Sequence, residues 1–387
     1  MKKISIVCIS LLIGLSIPCY SCTKGSPGKK KEPEKEKTMS FVLLSDLHHC
    51  DTQFYDLDAM LEEKPGDHTQ ITKTYAPVTA ENWDDFFDSV SDRMAGHSPR
   101  VKGIVQLGDL SEGLANVTGY AYAMARNVVE AVQDLDLGVP WIFTKGNHDI
   151  TGVGEHKAEA VAAYTKYYTE FVRTQGCENV NDGNCTFRTG DVLFVVLDVY
   201  NKKVDQVEFV RQHLENSDAK YKFVCMHEPA IPTTERCWHY MKSKTDQERE
   251  EFLEILAKNK AIVLCGHLHR YSVLRRNTQF GPVIQIMINS ATSLKRSNKP
   301  SYSFGIADYG AALANWKPTY KPETLEQRKA VLAKEAEKVD FYKMNNLAGY
   351  GILNIDTKKD KIVLEYYAAF EDEPFDVVDI TELYRNN

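Results

Sequence analysis

Five apolar, strand-like runs in this chain each end directly in a cluster of Asp, His or Asn, and no other feature restricts the fold as much. Phe41-Val42-Leu43-Leu44 leads into Asp46-Leu47-His48, and Gly103-Ile104-Val105-Gln106-Leu107 leads into Gly108-Asp109. Trp141-Ile142-Phe143-Thr144 is followed by Gly146-Asn147-His148-Asp149. Tyr221 to Met226 delivers His227, and Ala261-Ile262-Val263-Leu264-Cys265 delivers Gly266-His267-Leu268-His269. In a sheet covered by helices, polar side chains at the carboxyl ends of neighbouring strands converge on one crevice. Two carboxylates, an amide and several imidazoles in one crevice are the donor set of a metal site. Taken singly, a Gly-Asp is an ordinary turn and a lone His227 an ordinary hydrogen-bonded packing residue. As a set they share one placement, and glycine precedes the polar residue where backbone must approach a ligand closely.

Helical patterns alternate with the strand candidates: near Trp83 to Met94, from about Tyr120 to Leu135, from about His156 to Val172, then Val204 to Leu214 and Asp246 to Lys258. This alternation predicts a βαβ architecture with buried strands. Thr186-Phe187-Arg188 and Val192 to Leu197 read as a hairpin closed by Gly190-Asp191, and Pro282 to Ile288 as another strand. Tyr350 to Ile355 and Ile362 to Tyr367 are expected to add a second sheet. Residues 50–82 lack clear periodicity and are expected to form a loop over the site. Residues 293–345 form a second expected insertion, with a loop carrying Tyr302, Phe304, Tyr309, Trp316 and Tyr320, then a helix from about Pro322 to Tyr342 with Leu325, Leu332, Ala336 and Val339 on one face. Packing of the loop is the simpler account of its aromatics; a substrate pocket wall is the other.

The formal charge of −7 argues against a broad basic surface for nucleic acid, and no basic, aromatic-interleaved groove supports a nuclease. Lys2 and Lys3 precede a mostly apolar stretch from Ile4 to Ile17, well short of the roughly 20 residues that span a bilayer. A secretory signal is therefore expected. Cys22, behind Ser21, resembles the lipidation site of bacterial lipoproteins, with Cys19 the weaker candidate; ordinary cleavage to a soluble secreted protein is the other reading. The expected division is a signal peptide over 1–22, a Lys/Glu/Pro-rich tether over 23–39 and a catalytic domain over 40–387, held in the cell envelope by the lipid. Cys225 and Cys265 sit in apolar strands as small hydrophobes, whereas Cys177 and Cys185 flank a polar turn where an oxidising compartment permits a disulfide. Without a CxxC pair, a four-thiolate zinc site is not expected.

In their order, Asp46-Leu47-His48, Gly108-Asp109, Gly146-Asn147-His148-Asp149, His227 and Gly266-His267-Leu268-His269 resemble the five motifs of the calcineurin-like metallophosphoesterases, from about Ser40 to Ser290. The resemblance implies a four-layer α/β/β/α sandwich of two mixed β-sheets flanked by helices, with a dimetal site at the carboxyl ends of the strands. It implies one metal on Asp46, His48, Asp109 and His269, and another on Asp109, Asn147, His227 and His267, with Asp109 bridging. It also implies that His148 faces the substrate phosphate, where it stabilises the transition state or protonates the leaving oxygen; Asp149 is expected to orient its ring by a hydrogen bond. Purple acid phosphatases carry a metal-bound tyrosine three residues after the aspartate that matches Asp109, and this chain has Glu112 there, so a coloured ferric centre is not expected.

Nitrogen and oxygen donors without thiolate suit manganese, zinc, iron or similar divalent ions and discriminate poorly among them. Two such ions roughly 3.5 to 4 Å apart lower the pKa of the water between them and clamp the oxygens of an in-line displacement. The expected reaction is hydrolysis of a small or lipid-linked phosphate ester by a hydroxide activated between the metals, with phosphodiesters preferred to phosphomonoesters. A lipid-anchored binding or surface protein that keeps the fold without catalysis is the competing reading. It leaves the full ligand set without a chemical purpose.

Overall fold

The computed structural model describes residues 37–237, 244–291, 299–318 and 322–385. The expected signal segment, Cys22 and nearly all of the tether lie outside the described residues, as does Tyr320. In chain order the strands are β1 (Thr38–Leu44), β2 (Val101–Gln106), β3 (Trp141–Phe143), β4 (Glu178–Asn181) and β5 (Asn184–Thr189). There follow β6 (Val192–Val196), β7 (Tyr221–Cys225), β8 (Ile262–Cys265), β9 (Tyr271–Thr278) and β10 (Gly281–Met287). The last are β11 (Ser303–Gly305), β12 (Val339–Asn345), β13 (Gly349–Asp356), β14 (Lys361–Ala368) and β15 (Asp376–Asp379).

These strands make a six-stranded sheet, β15-β14-β13-β1-β2-β3, and a nine-stranded sheet, β11-β12-β9-β10-β8-β7-β6-β5-β4. Both are mixed. In the first, β2 runs parallel to β1 and β3, while β13 pairs antiparallel with β1. In the second, β6, β7 and β8 are parallel neighbours. The five motif-bearing strands are thus divided, with β1, β2 and β3 in one sheet and β7 and β8 in the other. Contrary to the sequence expectation, β13 and β14 complete the sheet of β1 rather than starting another; the second sheet comes from the middle of the chain.

Side-chain alternation along β6 shows how the layers stack. Val192, Phe194 and Val196 join the core shared with β1 and β2, while Leu193 and Val195 join a second core. That second core includes Val210 and Leu214 of helix α6 (Gln206–Glu215) and Phe252, Leu253 and Leu256 of helix α7 (Asp246–Lys258). Phe41 of β1 meets Phe194 of β6 edge to face at 4.8 Å, directly joining the two sheets. On the outer face of the first sheet, Phe171 from helix α5 (Lys157–Thr174) packs on Phe143 of β3 at 5.3 Å. The result is the four-layer sandwich. Each fully buried Phe, Leu or Val side chain contributes about 1.5–3 kcal/mol through removal of apolar surface from water.

Two elements differ from the sequence reading. Residues 50–82 are largely helical: α1 (Leu57–Glu63), α2 (Pro65–Gln70), a π-helical turn over Ile71–Tyr75, and the first turns of α3 (Ala76–Gly96). Asp56 caps α1 and Pro65 opens α2, so the segment is a succession of short helices with no sustained period. The helix expected over Pro322 to Tyr342 runs only over Leu325–Ala336, and Val339 belongs to β12, which pairs with β9. Pairing with an existing strand edge prevails there over the helical propensity of the preceding Lys and Glu residues. Among the described residues no helix is long and apolar enough to cross a membrane.

Candidate metal centre

Loops at the ends of β1, β2, β3, β7 and β8 bring Asp46, His48, Asp109, Asn147, His227, His267 and His269 together. The local backbone is unusual: φ is +48° at Asp46, +47° at His48, +53° at Asp109, +74° at His267 and +49° at His269. Left-handed conformations at non-glycine residues cost on the order of 1–3 kcal/mol each and persist where surrounding contacts enforce them. The glycines serve the same close approach. A Cβ on Gly108 would lie 2.3 Å from His227 Nδ1, and one on Gly146 would lie 2.1 Å from the Asp109 carboxylate.

The potential ligand atoms fall into two groups with Asp109 between them. Asp46 Oδ1 is 3.3 Å from His269 Nε2, which is 3.1 Å from His48 Nε2. In the other group, His227 Nε2 is 3.3 Å from His267 Nδ1. Asp109 Oδ2 lies 3.0 Å from His227 Nε2 and 3.9 Å from His48 Nε2. Asp46, His48, Asp109 and His227 are almost fully buried. Burial alone would raise the Asp109 carboxyl, but His227 and His148 beside it hold it well below the usual carboxylate range.

These donors fit divalent metal. His227 Nδ1 donates to the Leu107 carbonyl at 2.7 Å, a contact that fixes the hydrogen on Nδ1 and points Nε2 into the site. His48 Nδ1 lies 2.7 Å from Glu112 Oε2, which orients the ring in the same sense. Asn147 Oδ1 is buried and accepts no hydrogen bond among the described residues, as an amide oxygen reserved for a cation would be.

His148 and Asp149 do not have the relationship expected from their adjacency. Asp149 accepts the backbone N–H groups of Asp109, Ser111 and Gly146 at 3.0, 2.9 and 2.8 Å, so it staples the loop after β2 to the loop after β3. Burial, then the charge of Asp109, pushes its carboxyl up to about 6. The His148 ring is oriented instead by Nδ1 donating to the Glu112 carbonyl at 2.8 Å. Its backbone N–H donates to Asp109 Oδ1 at 2.7 Å. A short helical turn over His148–Ile150 directs Asp149 inward, away from the ring it follows in sequence.

Sequence reasoning missed several neighbours of this centre. Glu112, noted there only as a departure from a tyrosine, buttresses His48 and also accepts from Gln70 Nε2 at 2.6 Å. Burial pushes the Glu112 carboxyl up to about 7. Tyr75 stacks on the His48 ring, with centroids 4.2 Å apart and planes 19° apart. Both Gln70 and Tyr75 come from the segment expected to lie over the site. The contacts of that segment with residues far along the chain were not legible in the sequence.

The donors open into a cavity of about 410 Å³ whose lining also includes Glu235, Arg236, Arg270 and Lys317. Lys317 comes from the second expected insertion. The aromatics there pack mainly on one another, with Tyr302 4.4 Å and Phe304 5.1 Å from Trp316, and they support Arg270, whose guanidinium lies 5.4 Å from the Tyr302 ring centroid. Tyr309 is buried against Tyr342. His49 is half-buried edge-on to Trp83 at 4.6 Å, away from the ligand groups. Cys177 and Cys185 are buried free thiols, and Cys225 and Cys265 are buried in their strands.

A two-sheet sandwich with a buried Asp/Asn/His crevice at the strand ends defines a metal-dependent hydrolase. A family profile described as calcineurin-like phosphoesterase matches residues 39–271, and the chain belongs to that family. Its chemistry is accordingly metal-dependent hydrolysis of a phosphate ester. Among solved structures, the chain is 15% identical to PhoD, covering 89% of this chain and 69% of that one with a TM-score of 0.48. It is 14% identical to a dimetal phosphatase from Danio rerio, covering 88% and 98% with a TM-score of 0.48. It is 11% identical to GAP50, the anchor in the inner membrane complex of Plasmodium, covering 89% of each chain with a TM-score of 0.45. No curated protein sequence matches the chain.

Proposed function

We propose that this protein hydrolyses a phosphodiester in preference to a phosphomonoester, using two divalent ions of the manganese, zinc or iron type. The observation that carries the two-ion reading is the Asp109 carboxylate, placed 3.0 Å from His227 Nε2 and 3.9 Å from His48 Nε2, between the two donor groups. Asp46, His48, Asp109 and His269 would hold one ion; Asp109, Asn147, His227 and His267 would hold the other. Bound there, such ions lower the pKa of a water and neutralise charge on a phosphoryl group.

The chain's own residues supply the rest. His148, with Nδ1 engaged by the Glu112 carbonyl, lines the cavity and has its second nitrogen available to hold or deliver a proton at the leaving oxygen. Asp149 keeps Asp109 and His148 in register through the backbone amides it accepts. Three cations, Arg236, Arg270 and Lys317, against one further carboxyl, Glu235, line the cavity and suit an anionic substrate, and about 410 Å³ is room for more than a bare phosphate. The form of the Asp46, Asp109 and Asn147 motifs supports the diester preference. Export and lipid attachment at Cys22 belong to the same proposal and rest on the sequence of residues 1–22 alone.

The test is hydrolysis of paired chromogenic phosphodiester and phosphomonoester substrates by the full-length protein, stripped and reloaded with manganese, zinc or iron. Metal-dependent activity, greater on the diester and lost in Asp109→Asn, is the expected result. A protein that carries metal and cleaves no phosphate ester overturns the catalytic reading in favour of a binding protein. Greater activity on the monoester overturns the diester assignment alone.

A further inference from the structure

Tyr75 reaches the metal centre by an irregular route. The chain leaves α2 at Gln70, makes a π-helical turn over Ile71–Tyr75, and only then enters α3. Single π-helical turns recur at functional sites, because the inserted residue rotates the following side chains relative to a regular helix. Here the turn ends on the tyrosine that covers His48. Its ring also stands edge to face with His269 at 6.5 Å, and it lines the same cavity as Asp109, Asn147, His148 and His267.

Covering two histidine rings requires only an aromatic ring; the hydroxyl needs a separate account. It makes no hydrogen bond among the described residues, whereas Tyr55 from the same segment donates to the Gly113 carbonyl at 2.8 Å. The nearby acceptors are already engaged. Asp46 Oδ2 accepts from Ser45 Oγ at 2.5 Å and both its oxygens face the His267 N–H. Glu112 takes Gln70 on one oxygen and His48 on the other. Asp109 Oδ1 accepts the His148 N–H, and Oδ2 faces ring nitrogens. A half-buried O–H donor is therefore left at a cavity built for an anion. The ligand that satisfies it is rich in acceptor oxygens and has no need to donate.

We propose that Tyr75 is a substrate-binding residue whose hydroxyl donates a hydrogen bond to a non-bridging oxygen of the phosphoryl group held at the metal centre. This inference rests on the phosphoesterase reading above. It adds a neutral donor, from the segment that also brings Gln70 to the cavity, to the cations Arg236, Arg270 and Lys317 in the same lining. The ligand class is a tetrahedral phosphate, free or esterified, seated against the His48 side of the centre.

Titration calorimetry with inorganic phosphate, on the full-length metal-loaded protein, compares wild type with Tyr75→Phe and Tyr75→Leu, with metal content measured in each. Tyr75→Phe keeps the stacked ring, so it is expected to fold and to retain metal. Its phosphate affinity should fall by about 10- to 100-fold, the range for losing one hydrogen bond to a charged group, and kcat/KM on an ester should fall in parallel. Tyr75→Leu should bind phosphate at least as weakly and also hold metal less firmly. Phosphate affinity unchanged in Tyr75→Phe overturns the inference and leaves the ring as packing; loss of metal in that variant overturns it by placing the hydroxyl's effect on the ligand set. If wild type cleaves esters while Tyr75→Phe matches it, only this inference fails. If metal-loaded wild type neither cleaves esters nor binds phosphate, the phosphoesterase reading fails with it.

Discussion

His48 Nδ1 lies 2.7 Å from a carboxylate oxygen of Glu112, and both side chains are buried. A carboxylate behind a metal-binding imidazole fixes its tautomer and ring angle and raises its basicity, an effect typically worth about 10–100-fold in metal affinity. Glu112→Met, which removes the acceptor and keeps volume, should lower affinity for added zinc or manganese by about that factor in a chelator competition, while Glu112→Gln falls between. Equal retention of metal by all three proteins would show that the contact is only packing.

His148→Ala should reduce turnover by about 10²–10⁴-fold, the usual contribution of a positioned proton donor, with metal content unchanged. The backbone amide of residue 148, which donates to Asp109, survives the substitution. Elemental analysis beside steady-state kinetics separates this outcome from collapse of the ligand set.

Lys145 precedes the Gly146-Asn147-His148 loop and is almost fully buried, with Nζ 2.6 Å from Asp198 and 3.0 Å from Asp182 and 4.5 Å from the Tyr164 ring centroid. Removing one partner of a buried pair strands the other charge at a cost of about 3–5 kcal/mol. Lys145→Met should therefore shift the urea unfolding midpoint strongly downward. Adding Asp198→Asn to it should recover part of the loss, whereas additive losses would deny the coupling.

Glu250 on α7 accepts both terminal nitrogens of Arg276, at 2.9 and 2.7 Å, and meets Lys338 at 2.7 Å. Hydrogen bonding from Arg276 outweighs burial and brings its carboxyl down to about 2. A carboxyl depressed on folding stabilises the fold above its unfolded pKa of about 4.3, and that contribution fades as pH falls toward the folded value. Glu250→Gln should be less stable than wild type at pH 7 by about 1 kcal/mol, with the difference shrinking between roughly pH 4.5 and 2. Thermal unfolding at several pH values reads this directly, and a gap that widens on acidification contradicts it.

The parts of the centre legible in the sequence are those where residue type is forced. A buried strand ending in Asp46-Leu47-His48 or Gly266-His267-Leu268-His269 has few structural reasons to carry such residues, and Gly108 and Gly146 have no room for a side chain. Contacts between distant segments left no such trace: Glu112 and His48 are 64 positions apart, and nothing local in either predicts the pairing. Asp149 misled for the opposite reason, since proximity to His148 in sequence suggested a ring contact that the intervening turn prevents. The alternation of β12 was hidden behind a helix-forming run, and its strand character depends on the edge that β9 offers.

Strand β1, which carries Asp46 and His48 at its end, pairs from Thr38 to Leu43 with residues 351–356 of β13. A ribosome finishes the first of these strands some 300 residues before it begins the second. All seven proposed ligands, the last at His269, are thus synthesised while β1 still lacks one of its neighbours and presents an edge of unpaired backbone N–H and C=O groups. The sheet that holds Asp46 is completed by a segment that contributes none of the proposed ligands. A chain interrupted before Gly349 would carry every proposed ligand and still lack the strand that pairs with β1 in the sheet holding Asp46.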